Sequence, residues 1–231
     1  MRWAVLLLCA TLHASAQDSW IAAVNLDRVN GATGGGASLT WLHPRGNDTF
    51  HGGATLFSLA GSRWAYGTLG DTRRLRAFVV NGEASVGAGE DARGSFRYVL
   101  LRGGAMRELV PRRLFGEAEL LYADAARQQD AIARLGATWM LSPLTLRASV
   151  YRSFAGDADT RLAFVRADYD FSRATAILGA SVGSTGAALQ QRPTANRDVR
   201  DIFAGIKIDQ WSLIATHGRD RVSLSVIRRS R

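Results

Sequence analysis

The sequence predicts an all-β chain that closes into a transmembrane, antiparallel, up-and-down β-barrel of about twelve strands, within a range of about twelve to fourteen. Three observations predict it. Apolar and polar residues alternate along most of the chain, the polar positions carry charges of both signs, and aromatic residues stand near the ends of the alternating runs. Alternation with a period of two indicates strands, because successive side chains of a strand point to opposite faces.

The stretch 133–153 shows the alternation most clearly. Leu135 and Trp139 share one parity, while Arg134 and Thr138 share the other. A Ser-Pro pair at 142–143 interrupts the pattern, which resumes directly afterwards. We therefore expect two strands joined by a tight turn, with one apolar and one polar face each.

Comparable runs follow one another from residue 19 onwards and are separated by turn residues such as Asn30 and Gly31. They cover 19–29, 37–41, 50–56, 62–70, 73–88, 114–122, 133–141, 146–151, 163–170, 174–183, 202–209, 211–216 and 222–226. Residues 123–134 have a helix-like spacing, which we interpret as a loop followed by the start of a strand. The segment 184–199 is the longest predicted loop.

Residues 1–16 have the features of a secretory signal peptide. Arg2 provides the positive start, residues 3–12 are apolar, and Ala14-Ser15-Ala16 matches the usual cleavage pattern. The apolar stretch is about half of the ~20 residues that a membrane-spanning helix needs. We therefore expect export and removal of residues 1–16, which leaves 17–231 as an outer-membrane barrel. Cleavage would also remove Cys9, the one cysteine.

Two architectures produce such alternation. A soluble sandwich or lipocalin-like barrel turns its apolar residues inward, whereas a transmembrane barrel turns them towards lipid. The membrane reading is favoured because the polar positions are rich in glycine, serine and threonine and because aromatic residues lie near strand ends on the apolar face. The predicted aromatic girdle consists of Trp20, Trp41, Trp64, Tyr122, Trp139, Tyr169, Phe171 and Trp211.

Charged residues on the polar parity are the candidate lumen lining. They are Asp27, Glu83, Glu117, Glu119, Arg134, Arg147, Arg166, Asp168, Lys207 and Asp209. One role is structural, since arginine–carboxylate pairs can lock a narrow interior by bidentate hydrogen bonds. The other is a polar track for a hydrated polymer or small solute, in which mixed charge prevents tight binding of either sign.

The chain resembles the YaiO-type outer-membrane β-barrels, which are related to barrels that export exopolysaccharide. The resemblance rests on "GSRWAYG" at 61–67, on "TLRASVYRS" at 145–153 and on the order of the hairpins. It implies a barrel with an envelope or surface-polysaccharide function and no catalytic residues. Many exopolysaccharide exporters carry a helical-repeat periplasmic region before the barrel, so a partner would have to provide that part.

Enzymatic and metal chemistry find little support in the sequence. Beyond the signal peptide the histidines are His43, His51 and His217, and the nearby Ser223 and Ser225 have the opposite parity to His217. No His or carboxylate set recurs at ligand spacing. The formal charge of +9 comes without a basic cluster that contains interleaved aromatics, which argues against nucleic acid. We expect no cofactor and no catalytic activity.

The expected function is that of a passive pore or of an accessory component in surface-polysaccharide export. The expected partners are outer-membrane lipid, a polysaccharide and a periplasmic export protein. Two alternatives stay open: a non-conducting structural barrel whose interior is filled by its own side chains, and an envelope enzyme that modifies lipids.

Overall fold

The computed structural model describes residues 18–59, 61–125, 128–157, 159–185 and 197–230. Within them the chain forms fourteen strands in one closed sheet, which confirms the all-β, up-and-down barrel and corrects the expected number of about twelve. The strands are β1 (Ser19–Val29), β2 (Ala32–Arg45), β3 (Asp48–Leu59), β4 (Ser62–Leu75), β5 (Phe78–Asp91), β6 (Gly94–Val110), β7 (Leu114–Ala125), β8 (Gln128–Leu141), β9 (Leu144–Gly156), β10 (Arg161–Asp170), β11 (Ala174–Thr185), β12 (Arg197–Ile208), β13 (Trp211–Gly218) and β14 (Arg221–Ser230).

Each strand pairs with its two sequence neighbours, and the sheet closes by pairing β1 with β14. The closing ladder runs from Trp20 opposite Ser230 to Val29 opposite Arg221. All pairings are antiparallel and every strand has a paired neighbour on both sides, so the described ring has no edge strand. Only strand ends such as 94–97 of β6 and 197–200 of β12 extend past one of their neighbours.

The barrel has two distinct ends. We call the end where β1 begins and β14 finishes the termini end, and the opposite end the far end. The first connection at the far end is a tight turn in which Asn30 and Gly31 have φ angles of 49° and 81°. Positive φ at both central residues defines the turn that matches the twist of a two-residue hairpin, and Asn-Gly is the pair that adopts it most readily.

The outer face is apolar over most of its height. Leu69, Leu135 and Leu178 lie in mid-strand with 73%, 62% and 63% of their surface exposed. Charged side chains on this face are confined to the strand ends. On β6, Arg97 and Arg107 bound a stretch whose outward residues are Val99, Leu101, Gly103 and Ala105. Ten residues at about 3.3 Å each, tilted by about 40°, give an apolar band about 25 Å high, which is the height of a barrel band facing lipid.

The inner face is polar over the middle of the barrel and carries small residues at many positions. Glycines of one strand often face large side chains of the next strand, as Gly179 on β11 faces Phe203 on β12. A Cβ atom at Gly179 would overlap the Phe203 ring, which in turn stacks on Phe164 with ring centroids 5.6 Å apart. Inner glycines therefore let aromatic rings lie flat against the wall.

The sequence pattern missed strand β6. Its first half reads Tyr98-Val99-Leu100-Leu101, so residues of both parities are apolar and the alternation disappears. Tyr98 and Leu100 point inward and are buried, whereas Val99 and Leu101 belong to the outer face. Within 123–134 the predicted start of a strand is present, since β8 begins at Gln128, but the predicted loop at 123–125 is wrong because β7 continues to Ala125.

The predicted signal peptide at 1–16 and most of the predicted loop at 184–199 lie outside the described residues. Across the parts of the chain that are described, no helix has the length and apolar character required to cross a bilayer.

A charge placed on the outer face should destabilise the barrel in a depth-dependent way. Leu69→Arg lies in the middle of β4 and is expected to cost about 2–4 kcal/mol of unfolding free energy in a lipid bilayer, because the guanidinium would enter hydrocarbon. Leu75→Arg, on the same face at the end of the same strand, should cost about 0–1 kcal/mol. Urea unfolding in vesicles measures both, and equal losses would contradict an apolar band in lipid.

Filling an inner glycine should destabilise the barrel more than filling an outer one. Gly179→Val would force the Phe203 ring off the wall and should cost about 1–3 kcal/mol, the usual range for overpacking. Gly82→Val is the control, because a Cβ atom there meets nothing within 4 Å. In urea unfolding, the midpoint of Gly179→Val should be clearly lower than that of Gly82→Val. Equal midpoints would rule out the packing role of Gly179.

Candidate functional site

The middle of the lumen holds a connected set of charges on β6, β7 and β8. Arg134 contacts Glu117 at 2.8 Å and Glu119 at 3.7 Å. Arg102 lies 3.5 Å from the other oxygen of Glu119. Thr138 donates a hydrogen bond of 2.8 Å to Glu117. The structure thus brings three predicted lumen residues together and adds Arg102, which the sequence analysis had left out.

Cross-strand pairing explains this cluster. Glu119 stands directly opposite Arg134, and Gly136 opposite Glu117 leaves room for the Arg134 side chain to reach along the wall. The Arg134 guanidinium also lies over the Tyr151 ring, 5.6 Å from its centroid. A guanidinium held by two carboxylates and an aromatic face stabilises this part of the wall while leaving its charges in contact with the lumen.

A second group of charges lies on β9 and β10. Arg166 contacts Asp168 at 2.6 Å, and Arg147 approaches the same carboxylate at 3.9 Å. Asp168 is buried, whereas half of the Arg147 side chain is exposed to the lumen. These three predicted lumen residues share one parity and lie together on the inner face, where both arginines contact the Asp168 carboxylate.

Glu83 and Asp27 are each held by residues that the sequence analysis did not select for the lumen. Glu83 contacts His51 at 3.2 Å on the inner face of β3. Asp27 lies 3.2 Å from Arg221, whose other nitrogen is 3.9 Å from Asp201. Asp27 and Arg221 come from the first and last strands, so only barrel closure brings them together.

Of the last two predicted lumen residues, Lys207 has the predicted parity and Asp209 does not lie on a strand. Lys207 lies on the inner parity, opposite Thr175 and Ser212, but it is exposed at the termini end. Asp209 belongs to the turn after β12, with a φ angle of 51°, and is exposed. The prediction of Asp209 as a lumen residue was wrong, because the strand ends at Ile208 and parity has no meaning in the turn that follows.

An apolar cluster fills one side of the interior at the far end. The cluster comprises the buried residues Trp64, Tyr66, Phe96, Tyr98, Leu100, Leu121, Ala123, Ala125 and Ile132, with Phe57 and Tyr151 packed against them. We call it the aromatic cluster. The rings of Tyr66 and Tyr98 stack at 4.6 Å, and those of Phe57 and Trp64 also lie 4.6 Å apart. The interior is therefore narrowed at the far end on the side of β3–β9.

The placement of Trp64 corrects the predicted girdle. Trp64 is 4% exposed and points into the barrel opposite Phe57, so its assignment to the outer girdle was wrong. The error has a physical cause: inner and outer faces of β4 both carry apolar residues near the far end, as in "RWAYG". The sequence signal that could have revealed the aromatic cluster is the pair of small residues, Gly87 and Gly89, that faces Tyr66 and Trp64 from β5.

Six of the other seven girdle residues lie on the outer face of a strand, and Phe171 is exposed in the turn after β10, with its ring 4.8 Å from that of Tyr169. Trp20, Trp41, Trp139, Tyr169, Phe171 and Trp211 lie at the termini end, while Tyr122 lies near the far end. The Trp211 ring is covered by the Arg228 guanidinium at 5.3 Å. Six of the seven therefore form one belt near the termini, and Tyr122 lies apart from it.

The residues considered for catalysis are not assembled. His217 lies on the outer face opposite Val222, whereas Ser223 is buried on the inner face. Within the described residues, no group of three or more His, Cys, Asp or Glu side chains could hold a metal ion.

The sequence matches no protein-family model, and no curated protein is similar to it at a significant level. Solved structures do share its fold. The toluene transporter TodX of P. putida aligns with a TM-score of 0.67 and 9% identity, over 94% of this chain and 91% of TodX. A TodX variant described as a monoaromatic hydrocarbon channel aligns with a TM-score of 0.61 and 9% identity, over 92% and 88% of the two chains. CdiB from Acinetobacter baumannii aligns with a TM-score of 0.58 and 8% identity, over 95% of this chain and 61% of CdiB. These similarities show the fold.

Removing the central guanidinium should destabilise the barrel. Arg134→Gln removes the cation that Glu117 and Glu119 share and leaves Arg102 beside Glu119 alone, so it should lower the unfolding free energy by about 1–3 kcal/mol. Arg161→Gln is the control, because its ion pair with Asp159 is exposed and contributes little. The unfolding free energy of both variants is measured in lipid at low and at high salt. Equal stability of the two would mean that the central charges do not lock the wall.

Proposed function

We propose that this protein is a bacterial outer-membrane barrel that acts as a passive channel for small hydrophilic solutes. The observation that carries the proposal is the polarity of the closed ring, which is apolar outside and lined inside by ion pairs. A chain can cross hydrocarbon as strands only when all main-chain groups are paired in a closed sheet. Barrels of eight strands are filled by their own side chains, whereas those of about sixteen leave a water channel, so a fourteen-stranded ring has room for a lumen.

The proposal includes an orientation. With an even number of strands both chain ends lie on one side, and in bacterial barrels that side has the short turns and faces the periplasm. Here the six connections at the termini end are two or three residues long, and the longest connection, 186–196, is at the far end. The termini end would then face the periplasm, with residues 1–16 removed as a signal peptide during export.

The solute class follows from the charges of the wall. Glu117, Glu119, Arg134, Arg166 and Asp168 present both signs along the middle of the lumen, so neither cations nor anions are bound tightly. TodX is described as a toluene transporter, and its likeness supports transport through a barrel of this shape. The many ion pairs in this chain favour hydrated solutes over hydrocarbons.

A more specific version of this proposal is that the channel takes part in surface-polysaccharide export. The resemblance to YaiO-type barrels supports it, and it would require a periplasmic partner at the termini end together with lipid around the apolar band. In this proposal the protein has no catalytic role, which agrees with the placement of His217 and Ser223 on opposite faces.

A second candidate is a non-conducting structural barrel. The aromatic cluster favours it, because Tyr98, Leu100 and Ile132 are almost completely buried inside the far end. Side chains that fill an interior can block solutes as effectively as a separate plug.

Planar-bilayer recordings distinguish the two candidates. The wild-type barrel should give single-channel current steps, and Tyr98→Ala should increase their size because it removes a ring from the narrow end. Leu101→Ala is the control, since Leu101 lies on the outer face of the same strand and should leave the steps unchanged. Steps in Tyr98→Ala alone would favour the filled barrel, and silence in all three proteins would contradict the channel.

A further inference from the structure

One cavity lies inside the far-end half of the barrel, between the aromatic cluster and the closing strands β1 and β14. Its volume is about 200 Å³, and its lining includes Phe57, Trp64, Asp27 and Arg221. This volume is below the ~300–1,000 Å³ of a pocket for a drug-sized molecule and corresponds to about seven waters at ~30 Å³ each. The cavity therefore matches one small ring.

One wall of the cavity is aromatic. The rings of Phe57 and Trp64 lie 4.6 Å apart with an angle of 33° between their planes. Gly36 on β2 also lines the cavity, and a Cβ atom there would overlap the Phe57 ring. The absence of a side chain at Gly36 thus keeps the aromatic wall in place. Such a wall offers dispersion contact to the flat C–H face of a ring-shaped ligand.

The other wall is polar and well held. The Asp27 side chain is 1% exposed and is contacted by Arg221, which also approaches Asp201. The Arg221 side chain is 28% exposed and a guanidinium has five N–H donors, so it presents donors to the cavity beside the Asp27 carboxylate, which is an acceptor. Ser38 and Thr55 add hydroxyl groups to the same lining.

The aromatic wall and the polar wall together restrict the chemical class of a ligand that would fit the cavity. A hydrocarbon ring would cover the aromatic wall but would take water away from the Asp27–Arg221 pair without replacing its hydrogen bonds, which is costly. An anionic ring would lie against the Asp27 carboxylate, and the one guanidinium in the lining, that of Arg221, is already shared between Asp27 and Asp201. A neutral ring with hydroxyl groups on its edge satisfies both walls at once.

We propose that this cavity is a binding site for a single neutral sugar ring, stacked on Phe57 and Trp64 and hydrogen-bonded by Asp27 and Arg221. If the barrel is a channel, the site indicates that neutral sugars are among its solutes, and this part of the inference rests on the proposed function. The site would hold a sugar in the half of the lumen that, in the proposed orientation, lies towards the cell exterior.

Titration calorimetry of the purified, folded barrel in detergent tests the site, with glucose and toluene as the two probes. Glucose should bind the wild type, and toluene should bind more weakly. Asp27→Asn and Trp64→Leu should each weaken glucose binding by about tenfold, the effect of about 1.4 kcal/mol. Ser38→Ala, a smaller change in the same lining, should weaken it less. Trp139→Leu is the control, because Trp139 lies on the outer face, and it should bind like the wild type.

A shift in gel mobility on heating shows that each variant is folded before titration. Absence of glucose binding to the wild type would overturn the site, as would toluene binding that depends on Trp64 but not on Asp27. Equal glucose affinity in Asp27→Asn and the wild type would also overturn it. Conductance is recorded on the same preparations. Current steps without glucose binding refute the sugar site alone, and glucose binding without current steps refutes the channel alone.

Discussion

The structure depends on pairing the main-chain N–H and C=O groups of neighbouring strands within one closed ring. The ladder between β1 and β14 completes this ring and turns fourteen hairpin-connected strands into a surface without edges. Once the ring is closed, each residue has only two directions available, outward or inward. The apolar residues of the outward set then form a band about 25 Å high, and the inward set carries most of the charge.

The interior is organised by two kinds of side-chain contact that occupy different heights. Across the middle of the barrel, guanidinium groups such as Arg134 and Arg166 are held by carboxylates of the same or the neighbouring strand. Towards the far end, aromatic rings lie against glycines, as Phe57 lies against Gly36. The first arrangement gives the lumen wall charges of both signs, and the second narrows the lumen. The cavity between Phe57 and Asp27 forms where the two arrangements meet.

The alternation of the sequence contains enough information for the fold class and for the outward face, because a period of two survives wherever one face is polar. It fails where both faces are apolar. This is why β6 was missed and Trp64 was assigned to the wrong side. Parity places Glu119 and Arg134 on the same face, and the position of the turn between β7 and β8 sets the register that puts them opposite each other. The Asp27–Arg221 contact cannot be inferred in this way, because it joins residues 194 positions apart and depends on how the ring closes.

The central claim is that apolar residues face lipid while polar ones face a water-filled interior, and spin labelling along β8 tests it most directly. Cysteines placed one at a time from Arg134 to Thr138, in a chain with Cys9 replaced, each carry a nitroxide in bilayers. The account predicts that labels at Leu135 and Ala137 collide mainly with oxygen dissolved in lipid, whereas labels at Arg134, Gly136 and Thr138 collide mainly with a water-soluble nickel complex. The opposite alternation, or none, would contradict it.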